Sequence, residues 1–84
     1  MTGKLAFSKA GHDKGKLYVV VKEEGDALWL ADGRTRSLEK PKRKNRRHIQ
    51  PAGQAFTPEE LEKLLQSPAH GNNLVREAVE HSVK

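Results

Sequence analysis

The 84-residue chain contains no cysteine. That absence removes disulfides, Cys-ligated zinc and thiol catalysis together, and it is ordinary for a reducing compartment. Aromatic residues are scarce, with one Trp, one Tyr and two Phe, too few for a broad platform on which nucleic-acid bases stack. No stretch approaches the roughly 18 successive apolar residues of a membrane helix. The opening Met1-Thr2-Gly3-Lys4 lacks a signal-peptide core, which predicts a cytoplasmic protein without a membrane partner. A chain this short buries only about 60–65% of its unfolded surface, so one thin-cored domain is expected. An enzyme that encloses a small-molecule substrate or a cofactor is not.

Acidic residues are nearly missing from one segment. Residues 34–47 hold eight of the sixteen basic side chains, Arg34, Arg36, Lys40, Lys42, Arg43, Lys44, Arg46 and Arg47, against Glu39 alone. Residues 1–50 carry 13 Lys and Arg and 6 Asp and Glu, a balance of +7, whereas residues 51–84 carry 3 and 5, a balance of −2. The electrostatic footprint of a polyanion-binding protein is thus confined to the first part of the chain. Like charges at this density repel, which predicts an extended solvated loop until an anion neutralises it.

The β-strand signals come early. Leu5-Ala6-Phe7 reads as a first strand. Leu17 to Val21 reads as a second, with Leu17, Val19 and Val21 on one face and Tyr18 and Val20 on the other. Ala27 to Ala31 reads as a third, with Leu28 and Leu30 opposite Trp29. Asp32-Gly33 is a type I′ hairpin signal that predicts a fourth antiparallel strand over Arg34–Leu38, with Arg34 and Arg36 on one side. His48-Ile49-Gln50 is a candidate closing strand. Five short strands with tight turns predict a small antiparallel barrel of SH3-like kind over residues 1–50.

Residues 51–84 read as a linker and two short helices packed on the barrel or on a partner. Pro51 to Ala55 has no periodicity. Thr57, Pro58 and Glu60 supply an N-cap, a first-turn proline and a capping box, with Phe56 and Leu61 placed as a hydrophobic staple. Leu61, Leu64 and Leu65 form its apolar stripe, and Ser67-Pro68 ends it. Asn72 or Asn73 is a candidate cap for a second helix on which Leu74, Val75, Ala78 and Val79 share a face.

Between the first two strands lies Ser8-Lys9-Ala10-Gly11-His12-Asp13-Lys14-Gly15-Lys16. Gly11 and Gly15 permit positive φ or close approach of a ligand, and Lys9, His12, Lys14 and Lys16 surround them with cationic donors. Such a turn suits a phosphate backbone, held by lysines and free backbone N–H groups. A P-loop is excluded, because the glycine spacing is one residue short, Leu17 replaces the hydroxyl, and a strand follows.

An apolar residue, Gly11, Lys14-Gly15 and a run of valines resemble the KOW motif of ribosomal and transcription proteins. Gly15-Lys16-Leu17, Val19-Val20-Val21, Ala27 to Gly33 and Pro41-Lys42-Arg43-Lys44 follow in an order similar to the large-subunit ribosomal proteins of the fourteen-e type. They resemble still more closely the small bacterial KOW-domain RNA-binding proteins; the resemblance covers residues 4–50. It implies an SH3-like KOW barrel that binds structured RNA, ribosomal RNA foremost, with ribosomal proteins or RNA polymerase as further partners. Binding is then expected through Lys9, Gly11, His12, Lys14, Gly15, Lys16, Arg34, Arg36, Lys40, Lys42, Arg43, Lys44, Arg46 and Arg47. A protein-interaction adaptor is the alternative, and a nuclear localisation signal a further reading of the basic run.

Other chemistry is weakly signalled. His12, His48, His70 and His81 do not stand at zinc-ligand spacing, and His12-Asp13 lacks a second carboxylate or a nucleophile for catalysis. Trp29 reads as core, leaving Tyr18 as the candidate for base stacking.

Overall fold

The computed structural model describes residues 1–82. Its strands are β1 (Lys4–Ser8), β2 (Leu17–Glu24), β3 (Ala27–Ala31), β4 (Lys42–Asn45) and β5 (Ile49–Gln54), followed by helices α1 (Pro58–Gln66) and α2 (Pro68–Ser82). The strands form one antiparallel sheet in the order β4-β3-β2-β1-β5. β4 and β5 are therefore edges, and the sheet does not close into the expected barrel. A single 3-10 turn, Arg46–His48, carries the chain from one edge to the other.

Alternation along the strands gives the sheet two apolar faces. Leu5, Leu17, Val19, Val21 and Ala31 pack with Leu38, Leu61, Leu64 and Val75 into one cluster, so the helices cover this face. Ala6, Tyr18, Val20, Leu28, Leu30 and Ile49 form a second cluster on the other. No helix contributes to that cluster, yet its members are at most 4% exposed, so the sheet must curve over it. β2 carries one extra residue against Leu30 and Trp29, and β5 one against Lys4–Ala6; such bulges bend strands. Asp13, just beyond β1, meets Lys42 and Lys44 on β4 although β2 and β3 lie between.

The fourth strand is not where the hairpin signal put it. A type I′ turn needs two residues with positive φ. Gly33 has φ 78, but among the described residues no non-glycine residue has positive φ. The Asp32 carboxylate instead accepts hydrogen bonds from the amides of Arg34 and Arg36, both at 2.8 Å, and from the Thr35 hydroxyl at 2.8 Å. Amides that a ladder would need are thereby taken up in a local turn. The pairing moves on to Lys42–Asn45, inside the run expected to be an extended loop. β5 likewise runs through Pro51 and Gly53, which read as linker; an edge strand tolerates both because it pairs on one side only.

α1 starts as its signals predict, with Thr57 accepting from the Glu60 amide and Glu60 from the Thr57 amide. Leu61 and Leu64 are buried, whereas Leu65, assigned to the same stripe, is exposed. α2 begins at Pro68 rather than at Asn72 or Asn73. Ser67 alone separates the helices: its amide donates to Leu64 O at 3.2 Å and its carbonyl accepts from Gly71 N at 2.8 Å. Pro68 ends the first helix and also opens the second, where its missing N–H costs nothing. Asn72 turns to the sheet side, accepting from Leu38 N and donating to Glu39, both at 2.8 Å.

Candidate nucleic-acid interface

The β1–β2 loop is tied down by its own backbone. Gly15 N donates to Ser8 O at 2.8 Å, Lys16 N to Asp13 O at 2.9 Å and Lys14 N to Gly11 O at 3.2 Å. Gly11 and Gly15 supply the positive φ this path requires, 85 and 89. The loop amides of Lys14, Gly15 and Lys16 are thus spent internally, which corrects the expectation that they are free to hold a phosphate. The exposed side chains of Lys9, His12, Lys14 and Lys16 remain.

Beneath the loop sits a charged cluster. Asp13, 5% exposed, accepts at Oδ1 from Lys44 Nζ (2.6 Å) and Ser8 Oγ (2.9 Å), and at Oδ2 from Lys42 Nζ (2.9 Å) and Tyr18 OH (3.1 Å). Burial works to raise its pKa, but hydrogen bonds from Lys44, Lys42, Ser8 and Tyr18 override it and hold the carboxyl well below the usual range. Burial, then the bond to Asp13, pushes the Tyr18 phenol up to about 12.

Three expectations change here. Tyr18, assigned to base stacking, is 2% exposed and its hydroxyl is committed to Asp13, so no base can reach its ring. Lys44, assigned to RNA, has a side chain only 10% exposed that bonds Asp13 and the Ala10 carbonyl; it anchors the loop. Lys42 shares that anchor but stays partly accessible at 27%. The strand period explains the split: Lys42 and Lys44 point with Leu30 and Leu28 to the curved-over face, while Arg43 points with Trp29 to the other. Trp29 is half-buried against the helix-covered cluster, with Lys22 Nζ 4.8 Å and the Arg43 guanidinium 5.9 Å from its ring centroid.

Most of the remaining cations fall into two groups. Lys16, His12, Arg36 and Lys42 surround a depression of about 250 Å³. Lys16 and Arg34 continue into a neighbouring cleft of about 400 Å³ that also takes Arg76 from α2. Arg46 and Arg47 lie elsewhere, beside Asp26 and Asn45, at the other end of β3; Arg46 is also paired with Glu23. Lys9, Lys14 and Lys40 are exposed and line none of these depressions. Among the described residues, no carboxylate lies within ion-pair distance of Lys9, Lys14, Lys16, Arg36 or Arg47. Arg76 carries no local signal of this role, since the helix sequence shows it only as an exposed side chain and not that it faces the sheet's loops.

Gly33 explains how α2 comes so close. A Cβ there would collide with the Asn72 carbonyl oxygen and lie 2.7 Å from Arg76 N. Only glycine lets the Asp32 turn rest on the helix and bring Arg34 beside Arg76.

The chain matches no protein-family model and no curated protein.

Proposed function

We propose that this protein is a non-catalytic RNA-binding module whose exposed cations clamp structured RNA, ribosomal RNA in particular, in a ribosome-associated role. The observation that carries this reading is the gathering of Lys16, Arg34, Arg36 and Lys42, from three separated segments, along two adjoining depressions. Phosphates contacted there fix position, and arginine forks add bidentate geometry. The sheet order and the glycine loop between β1 and β2 support an SH3-like, KOW-type reading of the fold.

The test is affinity for a structured RNA hairpin across a salt series. Reversing Lys42, Arg43 and Lys44 together is unsuitable, because it would dismantle the Asp13 cluster. Lys16→Glu/Arg34→Glu/Arg36→Glu leaves that cluster intact. The reading expects the triple variant to weaken binding to all hairpins and to lower the slope of log K against log salt by about 3. Unchanged affinity and slope would sink it. That outcome would favour a second reading, docking on RNA polymerase or a ribosomal protein through the helices. An apolar depression of about 390 Å³ lined by Phe56, Leu64 and Leu74 supports that alternative.

A further inference from the structure

The larger cleft has a feature that phosphate binding leaves unexplained. Its lining is more apolar than that of a phosphate site, with Leu17 of β2 and Val79 of α2 beside Lys16, Arg34 and Arg76. A phosphate gains nothing from Leu17 or Val79. At about 400 Å³ the cleft falls at the small end of ligand sites, which span roughly 300–1,000 Å³. The depression beside it is polar and shares Lys16 and Thr35 with it. One space thus suits a flat apolar ring, the next suits charged backbone, and Lys16 stands between them.

Resting on the RNA-binding reading, we propose that this cleft receives the base of a single unpaired nucleotide extruded from structured RNA, its flanking phosphates lying on Lys16, Arg34 and Arg76. Sequence-reading contacts to RNA fall overwhelmingly on bases already out of the helix. Extrusion costs least where no pair must be broken, so the ligand class is a bulged or looped-out nucleotide rather than continuous duplex. The two carboxylates in the cleft do not oppose this. Asp32 keeps its charge, but its oxygens are turned to the Arg34 and Arg36 amides and the Thr35 hydroxyl of its own turn. Glu80 faces Arg34 at 3.8 Å with both side chains more than half exposed, a pair that exchanges readily for a phosphate contact. The cleft exists only because α2 is docked on the Asp32 turn, which gives the helical segment a direct part in recognition.

Two hairpins differing by one bulged nucleotide, with 2-aminopurine at the bulge, test this on the full chain. The bulged hairpin is expected to bind roughly tenfold tighter than the paired one, with altered 2-aminopurine emission on binding. Arg76→Gln, at an exposed position, and Val79→Gln should each cut the ratio of bulged to paired affinity, with circular dichroism reporting the fold. Equal affinities and unaltered emission, with salt-dependent binding to both hairpins, would overturn the cleft proposal and leave the RNA reading standing. No salt-dependent binding to either hairpin would overturn both.

Discussion

Two turns of this protein are each organised by one aspartate, and they use it in opposite ways. Asp13 is buried and collects four side-chain donors from β1, β2 and β4. Asp32 sits at the surface and takes its donors from Arg34, Thr35 and Arg36, within four residues of itself. The first aspartate ties the β1–β2 loop to β1, β2 and the edge strand β4. The second shapes one turn and aims the arginines on it. A carboxylate at a turn is thus a tertiary keystone in one place and a local template in the other, and burial makes the difference.

Breaking the first should cost most. Asp13→Ala strands the Lys44 ammonium in a site with 10% side-chain exposure, beside a second lysine at 2.9 Å from the same carboxylate. Removing one partner of such a buried set typically costs about 3–5 kcal/mol. Whole-domain stability is on the order of 4–12 kcal/mol at this size, so urea denaturation should show the midpoint falling by a large fraction, with the variant unfolded in water if the wild type lies at the low end of that range. The acid limb of the curve sharpens the same point. Asp13 has a folded pKa held well below its unfolded value of about 3.9. Its contribution is therefore complete above that unfolded value and drains away as pH falls towards the folded one. Asp13→Asn should flatten the loss of stability between about pH 4 and pH 2. An acid limb like that of the wild type would mean that the cluster contributes little.

Asp32→Ala should cost less, about 0.5–1.5 kcal/mol in the same urea experiment. The freed amides of Arg34 and Arg36 are exposed enough for water to replace the carboxylate. Its larger effect should fall on binding, since Arg34 and Arg36 lose their orientation while keeping their charge. A variant as unstable as Asp13→Ala would show that the two turns are not different in kind.

The difference between the turns also marks where the sequence was legible. β3 is found at its expected residues, and β1 and β2 overlap theirs, because their alternation is strong and both faces are apolar. α1 is capped by local signals that need no tertiary information. Asp-Gly serves both a hairpin and an Asx-type turn, and at Gly33 the Asx-type turn lies directly against α2, some forty residues downstream, a contact that local sequence does not reveal. The Asp13 cluster was invisible for a related reason: its lysines lie in a run whose overall charge suggested a solvated loop. The alternation of Lys42 and Lys44 with Arg43 and Asn45 was the available clue. On a strand, period two places alternate residues on opposite faces, so a uniform basic run becomes an anchored half and an exposed half. Arg76 had no such clue, because its place in the cleft depends on the docking of α2.

The smallest effect probes the outer side of the Asp32 turn. Glu80 approaches Arg34 at 3.8 Å, with side-chain exposures of 55% and 67%. An exposed pair of this length is worth less than about 0.5 kcal/mol and weakens further with salt. Glu80→Gln should accordingly leave the urea midpoint almost unmoved, in contrast to both aspartate variants. It should nevertheless strengthen hairpin binding by up to about twofold at low salt, because a negative charge leaves the cleft and Arg34 is no longer shared. That gain should vanish as salt rises and screening reaches the Glu80–Arg34 distance. A stability loss on the scale of Asp32→Ala would mean that Glu80, rather than Asp32, holds Arg34 in place. The aspartate would then shape the turn without aiming what the turn carries.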